Sequence, residues 1–516
     1  MNAIEKPHIM AVPFPALGHA IPLLDFAKQL ASHGLTVSCV TTAANLPFLQ
    51  YQMAQAFSSG LDIHLLVLPT PPVEGLPEGI ESFEQVPTHK CDLIFEMVLK
   101  LEHHFNRMLE SQLEQGKGPV CIMHDLILGW SMEFPQKHNI LRVVFDTYGA
   151  FGLSMMCSSW LSASQNAVGK QGDSVVLSLG LPTSMRFHKH EIDPELFEPF
   201  MVEFLARVQS IYQSSGILTN TFEKLEGEYI QNLRDLTGKK VWSIGPVLPP
   251  KFFSGEVRAT PRGKMADISE DEVLQWLDSQ SPSSVVYISF GSQTFLSEEQ
   301  SKALASGLEA SEKPFIWANK VSPKIESLTL DSPIDLARTY LPKGFQERTK
   351  NRGLVIWGWV SQLVILSHQS IGACMSHCGW NSMLESVALG VPLITWPMYA
   401  DQHFNSKLAV KLGIGIQVCE HRDGIPDKKR VMDAVSFVLS KDEGKQMRRD
   451  AEKLKNMSRN AVAYGGSSST NLQEFVSVMY NLNMSRKEVG REGSSKAELQ
   501  EDIVSNISRL SISKTM

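Results

Sequence analysis

Two groups of residues in this chain have the types and spacing to do chemistry. The first lies near the N-terminus: Pro13-Phe14-Pro15, then Gly18-His19 and Pro22. His8–Phe14 reads as a strand and a helix is expected from about Ile21, which sets His19 at the carboxyl edge of the first strand. A neutral imidazole there can take a proton from a hydroxyl group. It works better with a carboxylate on its other ring nitrogen. Asp125, which closes the strand pattern Val120-Cys-Ile-Met-His-Asp125, is the candidate. His124 beside it faces the other side of that strand and reads as structural.

The second group spans the 44 residues from Trp359 to Gln402. It runs Trp359-Val360-Ser361-Gln362, His368, Gly372, His377-Cys-Gly-Trp380-Asn381-Ser382, Glu385, Gly390-Val-Pro392, Trp396-Pro397 and Asp401-Gln402. Ile371–Ser376 reads as a strand, His377–Gly379 as a turn, and Ser382 onward as a helix. The start of such a helix offers free N–H groups and partial positive charge, which suits a diphosphate. His377, Asn381 and Ser382 add side-chain donors, Trp359 a flat face for a base, and Glu385 and Gln402 groups for hydroxyls. Ser382-x-x-Glu385 alone would read equally well as a helix capping box. The whole ordered set is what argues for a ligand.

The elements that must position these groups follow from periodicity. Strand patterns at His8–Phe14, Leu35–Thr42, Ile63–Pro69, Val120–Asp125, Arg142–Thr147 and Gly216–Thr221 alternate with amphipathic stretches such as Pro22–His33 and Ile94–Leu109. That alternation predicts a doubly wound parallel sheet. A Pro-, Gly- and Lys-rich stretch begins at Gly245-Pro-Val-Leu-Pro-Pro250 and reads as a linker. The pattern restarts at Val285–Phe290, Phe315–Asn319, Leu354–Trp359, Ile371–Ser376 and Val391–Trp396. The predicted fold class is therefore α/β, with two Rossmann-like domains facing a cleft at the carboxyl ends of their strands. The expected division is 1–247 for the first domain, 248–268 for the linker, 269–464 for the second domain, 465–484 for a helix packing back toward the first domain, and 485–516 for a mobile tail. Val321–Pro342 reads as a surface loop, and so do Pro69–Lys90 and Gly149–Ser164. Ending the chain near Asn483 is expected to leave turnover within about twofold.

Composition excludes several classes. Of 516 residues, 43% are hydrophobic and 20% charged, the balance of a globular chain. Lys plus Arg is 48 against 55 for Asp plus Glu, with no basic, aromatic-rich stretch, so no nucleic-acid partner is expected. No apolar run approaches the roughly 20 residues of a membrane span, and no secretory leader is visible. The seven cysteines read as buried free thiols of a reducing, cytoplasmic setting.

The Trp359–Gln402 segment closely resembles the donor-binding box of plant secondary-product UDP-glycosyltransferases, the inverting family 1 enzymes of GT-B type. The resemblance runs from about His8 to about Val478. It includes Phe290-Gly-Ser292, Gly216-Ile-Leu-Thr-Asn-Thr221 and Gly465-Gly-Ser-Ser-Ser469. It implies that Trp359 stacks on uracil, with the Val360 backbone and Gln362 nearby. Glu385 would hold the ribose, while His377, Asn381, Ser382 and Ser292 hold the diphosphate. Trp380, Asp401 and Gln402 would face the sugar, with both amide ends of Gln402 free for hydroxyls. Gly18-His19-x-x-Pro22 matches the family's catalytic signature, and Asp125 its partner position. His368 matches the family but reads as structural.

Ser361 stands where the family usually has Pro, and Cys374 where it usually has an aromatic. The implied reaction transfers glucose from UDP-glucose to a hydroxyl or carboxyl of a small apolar acceptor such as a flavonoid or phenolic acid. The UDP-sugar is a co-substrate. No cofactor or metal is expected, and the chain is expected to be a monomer. UDP-rhamnose or UDP-galactose as donor, or a non-catalytic UDP-sugar binder, are the alternatives. A nicotinamide oxidoreductase is disfavoured because Gly-x-Gly-x-x-Gly is missing after the first strand.

Overall fold

The computed structural model describes residues 6–87, 90–130, 133–164, 169–171, 174–176, 187–188, 210–249, 252–253, 262–320, 338–419, 424–440 and 442–492. The strands, in chain order, are β1 (His8–Val12), β2 (Thr36–Thr42), β3 (Ile63–Leu68), β4 (Cys121–Asp125), β5 (Leu141–Asp146), β6 (Gly169–Gln171), β7 (Ser174–Val176), β8 (Phe187–His188), β9 (Gly216–Thr219), β10 (Val241–Ser243), β11 (Val285–Ser289), β12 (Phe315–Asn319), β13 (Gly353–Trp357), β14 (Ile371–Ser376), β15 (Leu393–Thr395) and β16 (Gly415–Gln417). One parallel sheet has the order β10-β9-β5-β4-β1-β2-β3 and a second the order β13-β12-β11-β14-β15-β16. A small antiparallel sheet joins β6, β7 and β8. The fold is the predicted pair of doubly wound α/β domains.

Helices cover both faces of the first sheet, so its strands are apolar on both sides. Alternate residues enter different cores. Met10, Val12, Ile122 and Val144 face one, while Ile9, Ala11, Cys121, Met123, Val143 and Phe145 face the other. In each sheet the strand order reverses beside the first strand of its domain: between β1 and β4, and between β11 and β14. At such switch points the connections leave toward opposite faces and open a crevice at the carboxyl ends. His19 and Asp125 follow β1 and close β4, whereas Gly291 and His377 follow β11 and β14.

Several local expectations differ from the structure. The first helix starts at Leu17, not near Ile21, so His19 lies in its first turn and Pro22 in its interior. Gly149–Ser164 is a helix rather than a loop. Its side chains are apolar nearly all round, because Phe151, Leu153 and Met155 are buried, and this erases the helical period. The short strands β10 and β16 carry too few residues for a pattern. Of the expected loop Val321–Pro342, residues 321–337 lie outside the described residues, as do 250–251 and 254–261 of the expected linker and 493–516 of the expected tail.

The last described helix, Ser467–Glu492, lies on the first domain although it follows the second. Phe475 and Met479 join the core that holds Phe26, Phe145 and Trp242. Ser468 Oγ donates to the Gly245 carbonyl at 2.5 Å, and Lys240 pairs with Glu474 at 2.7 Å. The helix runs past Ser485, where a tail was expected. Arg486 donates to the carbonyls of Pro119, at 2.7 Å, and Asn139. A chain ending at Asn483 should therefore melt about 2–8 °C below one ending at Glu492, the scale of two hydrogen bonds lost from a domain of this size. Calorimetric scans of the two chains check this, and Arg486→Ala in the longer chain should recover part of the difference.

Candidate active site

The cleft between the sheets holds a cavity of about 1050 Å³. Its wall on the first domain carries His19. The His19 Nδ1 lies 2.9 Å from Asp125 Oδ2 and 3.0 Å from Thr147 Oγ1. An ionised carboxylate only accepts, so Nδ1 carries the proton and Nε2 of the neutral ring is left free. Asp125 is fully buried, and its other oxygen accepts from the Ile127 N–H at 3.0 Å, so the carboxylate is held from both sides. Burial works to lower the His19 pKa, but the charge and hydrogen bond of Asp125 outweigh it and the net shift is upward. His124 packs into the sheet, bonds the Asp125 carbonyl at 2.9 Å, and is pushed down to about 3 by burial and by Arg142. It stays neutral and outside the cavity.

The wall on the second domain is built on β14 and the helix Trp380–Leu389. That helix begins two residues earlier than the pattern indicated. Its N-cap is Gly379, with no side-chain cap, so the capping-box reading of Ser382 and Glu385 does not hold. The positive end of the helix therefore opens into the cavity undecorated. The turn before it is tight. Cys378 has φ +66 and Gly291 φ +77, and a Cβ on Gly291 would strike the His377 ring. Burial, then the charge of Lys320, push His377 down to about 3, so it is a neutral donor whose buried Nδ1 has no protein partner among the described residues.

The remaining expected site residues all line the same cavity. Gln362 Nε2 donates to Glu385 Oε2 at 2.7 Å and to Ser382 Oγ at 3.2 Å, and its carbonyl accepts from Tyr287 at 3.2 Å. Trp359 is half-buried, with its N–H on Asp267 at 2.5 Å, and Val360 follows it into the core. Asp401 is buried and raised to about 7, chiefly by burial, with Asn405 donating to it at 2.6 Å. The Gln402 amide oxygen accepts from Met398 and Tyr399 N–H at 2.9 and 3.2 Å. That corrects the expectation of two free amide ends: only the NH₂ remains for a ligand. His368 bonds Asp278 at 3.1 Å away from the cavity. Cys374 is buried in β14, and the Ser361 hydroxyl donates to Glu270.

Two side chains expected to face the ligand line the cavity and also bond across the domains. Trp380 is buried, and its indole N–H donates to the Asn220 carbonyl at 2.8 Å. A Cβ on Gly149, itself at φ +77, would come within 2.5 Å of that indole. Asn381 Nδ2 donates to the Gly18 carbonyl at 2.5 Å. That carbonyl is free because its helical partner four residues on is Pro22, which has no N–H.

Among the charged residues of the cavity that sequence reasoning missed, three bridge other parts of the site. Glu84 accepts from Leu17 N–H at 2.7 Å and from Ser292 Oγ at 3.2 Å, so Ser292 also meets the first domain. Lys320 donates to the Gly291 carbonyl and lies 5.6 Å from the Trp359 ring centroid; burial brings it down to about 7. Arg262 reaches both Asp25 and Glu385. Glu84 lies in a short 3₁₀ turn, Phe83–Gln85, Arg262 in a loop and Lys320 just past β12, none within a chemical motif, so only the fold reveals them. Among the described residues, no three His, Cys, Asp or Glu side chains are grouped to hold a metal, and no helix is long and apolar enough to cross a membrane.

Known proteins share this arrangement. Residues 188–447 match the family described as UDP-glucoronosyl and UDP-glucosyl transferase, and residues 5–249 match the glycosyltransferase N-terminal domain. UDP-glycosyltransferase 73B4 of Arabidopsis thaliana is 35% identical over 485 residues, covering 92% of this chain and 98% of that protein. The chain belongs to the plant family 1 UDP-glycosyltransferases. Scopoletin glucosyltransferase of Nicotiana tabacum is 34% identical, over 90% of this chain and 96% of its own. The crystal structure of Glycyrrhiza uralensis UGT73P12 complexed with glycyrrhetinic acid 3-O-monoglucuronide superposes with a TM-score of 0.82 at 29% identity, covering 94% of this chain and 98% of that one. This UDP-glycosyltransferase is thus an enzyme of the hexosyltransferase type with the GT-B arrangement of its relatives.

The Asn381–Gly18 contact yields a test. Asn381→Ala should destabilise the protein by about 1–3 kcal/mol, the cost of an orphaned buried carbonyl. In a Pro22→Ala background the residue-22 N–H can serve Gly18, and that cost should at least halve. Denaturant titrations of the four proteins in the cycle measure the coupling.

Proposed function

We propose that this chain is an inverting glucosyltransferase that moves glucose from UDP-glucose to the hydroxyl of a flat aromatic acceptor, with His19 as base and Asp125 as its partner. One observation carries the reading. The His19–Asp125 pair, 2.9 Å apart, opens into the same cavity as the uncapped start of the Trp380–Leu389 helix. Base and leaving-group site therefore face each other across the cleft. His19 Nε2 takes the acceptor's proton as its oxygen attacks the anomeric carbon. Asp125 holds the ring and balances the imidazolium charge. UDP departs on the far side, and its growing charge meets the helix N-terminus, the neutral His377 and the Ser292 and Ser382 hydroxyls. Such fixed donors can do the work a metal does elsewhere, so activity is expected to persist in chelator. Trp359 is assigned to the uracil, with the Val360 backbone beside it, and Asp401 and the Gln402 NH₂ to the sugar.

The acceptor end is apolar. Phe14 lies 5.9 Å from Phe83 and 5.3 Å from Phe95, ring centroid to centroid, with Val86, Ile127 and Met156 also on the wall. Aromatic faces at these angles suit a planar ring. A phenolic or flavonoid acceptor fits, and a relative named for glucosylating scopoletin points the same way.

His19→Ala should cut kcat on a phenol by about 10²–10⁴-fold, the usual worth of a general base. UDP affinity by calorimetry should barely change. Because Asp125 raises the His19 pKa, the base is neutral only above an apparent pKa higher than the usual 6.5. Activity should therefore fall as pH drops through that value. In Asp125→Asn the largest upward influence is gone and burial is opposed only by the weaker pull of Asp401 and Glu84, so the acid limb of kcat/KM should move to lower pH while kcat falls. An unmoved limb would sink the pairing.

UDP-glucose should be the best donor in a panel with UDP-galactose and UDP-rhamnose. Gln402→Ala should cost about 1–3 kcal/mol in kcat/KM for it, the scale of an unpaired sugar hydroxyl. UDP affinity is the control for loosening of the Met398–Tyr399 turn. A preference for another donor overturns the glucose assignment.

A further inference from the structure

A single guanidinium joins the two domains at the nucleoside end of the cleft. Arg262 Nε donates to Asp25 Oδ2 at 2.8 Å, on the first helix, and Arg262 Nη1 donates to Glu385 Oε1, on the helix of the donor box. Both carboxylates are buried, and the arginine is nearly so. Lys28 pairs with the other Asp25 oxygen at 2.6 Å, so charges alternate along the row Lys28, Asp25, Arg262, Glu385 and sum to zero. Burial raises the cost of charging Asp25, but Lys28 and then Arg262 outweigh it and hold its pKa below the ordinary carboxylate range. Gly263, next in the chain, has φ +81. Its carbonyl accepts from Gln52 Nε2 at 2.6 Å, and its α-carbon lies so close to the Trp359 indole that a side chain there would overlap it. Two successive residues thus have anchors in the first domain, Asp25 and Gln52. They also touch the two groups assigned to the nucleoside, Glu385 and Trp359.

We propose that Arg262 is a positioning residue for the donor: it ties Asp25 to Glu385 and presents that carboxylate to the ribose of the bound nucleotide, so that grip on the nucleoside depends on the juxtaposition of the domains. This rests on reading Glu385 as the ribose acceptor. One Glu385 oxygen is held by Arg262 and the other by Gln362 Nε2 at 2.7 Å. Each oxygen keeps a further lone pair, enough for ribose hydroxyls to donate without displacing either partner. The residue type follows from the task. A guanidinium presents several donors in a fixed plane and can serve two carboxylates at once, whereas a lysine ammonium is a compact point charge.

The experiment is calorimetry of UDP and 2′-deoxy-UDP binding to the full chain and to Arg262→Ala, Arg262→Lys, Asp25→Asn and Glu385→Ala. The wild type should prefer UDP, and Glu385→Ala should collapse that preference. If it does not, the ribose assignment of Glu385 fails, whatever Arg262 does. If it does, Arg262→Ala should weaken UDP about tenfold, within the usual range of coupling between sites. The weakening should fall mainly on UDP, so that the ratio of the two affinities shrinks. Combined with Glu385→Ala, it should lower that ratio no further. Asp25→Asn should shrink the ratio from the far end of the row. Arg262→Lys should fall between wild type and Arg262→Ala, and it serves as the readout should the alanine variant fail to fold. Equal weakening of both nucleotides would make Arg262 a structural strap only. Tighter UDP binding in Arg262→Ala would show that the arginine competes with the ribose. Either result overturns the proposal.

Discussion

The cleft depends on the two residues that open the helix of the second domain reaching into the first. Trp380 gives its indole N–H to the Asn220 carbonyl, and Asn381 its amide to the carbonyl that Pro22 leaves free. Both are direct bonds between buried or half-buried groups, so neither domain can shift without orphaning a polar atom. The consequence is geometric. The helix N-terminus that would meet a diphosphate is fixed by the same turn that locks onto the helix bearing His19. Gly149 allows the approach, since a side chain there would strike the indole.

The same economy governs charge. The cavity holds carboxylates at Glu84, Asp92, Glu270, Asp401 and Glu385 and cations at Lys320 and Arg262. Three of the carboxylates are engaged or muted. Glu84 caps the first helix, Asp401 is drawn toward neutrality by burial, and Glu385 is engaged by Arg262 and Gln362. A dianionic leaving group thus meets little uncompensated negative charge at these three positions. Burial and then the charge of Lys320 hold His377 unprotonated, and the imidazole remains a neutral donor where a second positive charge would be costly. Strain collects at the same place. Cys378 and Ala400, two of the five non-glycine residues with positive φ among the described residues, bracket the donor wall.

Most of the architecture was legible in the sequence because parallel sheets covered on both faces write long apolar strands separated by helices. The donor box was legible for a different reason: its 44 residues are one continuous stretch, from the loop after β13 through β14 and the helix Trp380–Leu389 to the turn beyond β15. What failed to show did so for identifiable causes. The helix over Gly149–Ser164 is buried nearly all round along residues 149–158 and loses its helical period there. The first helix starts four residues early because Gly18 and Pro22 disguise it. The helix Ser467–Glu492 hides its extent, because Arg486 docks through backbone carbonyls that no side-chain pattern records.

The sequence by itself determined the α/β class, the likeness of the donor box to its family, and the pairing of His19 with a strand-end aspartate. Each of these is local, or fixed by strand periodicity, and a one-dimensional pattern suffices. Only the tertiary structure decided what those residues touch. It made Trp380 and Asn381 ties between domains as well as residues of the cavity wall, took one end of the Gln402 amide for the backbone, and joined Asp25, Arg262 and Glu385 from three distant segments. Hydrogen bonds act over about 3 Å, whatever the distance along the chain. Partners separated by 123 to 363 residues are therefore brought together by the packing of two sheets and cannot be read from spacing.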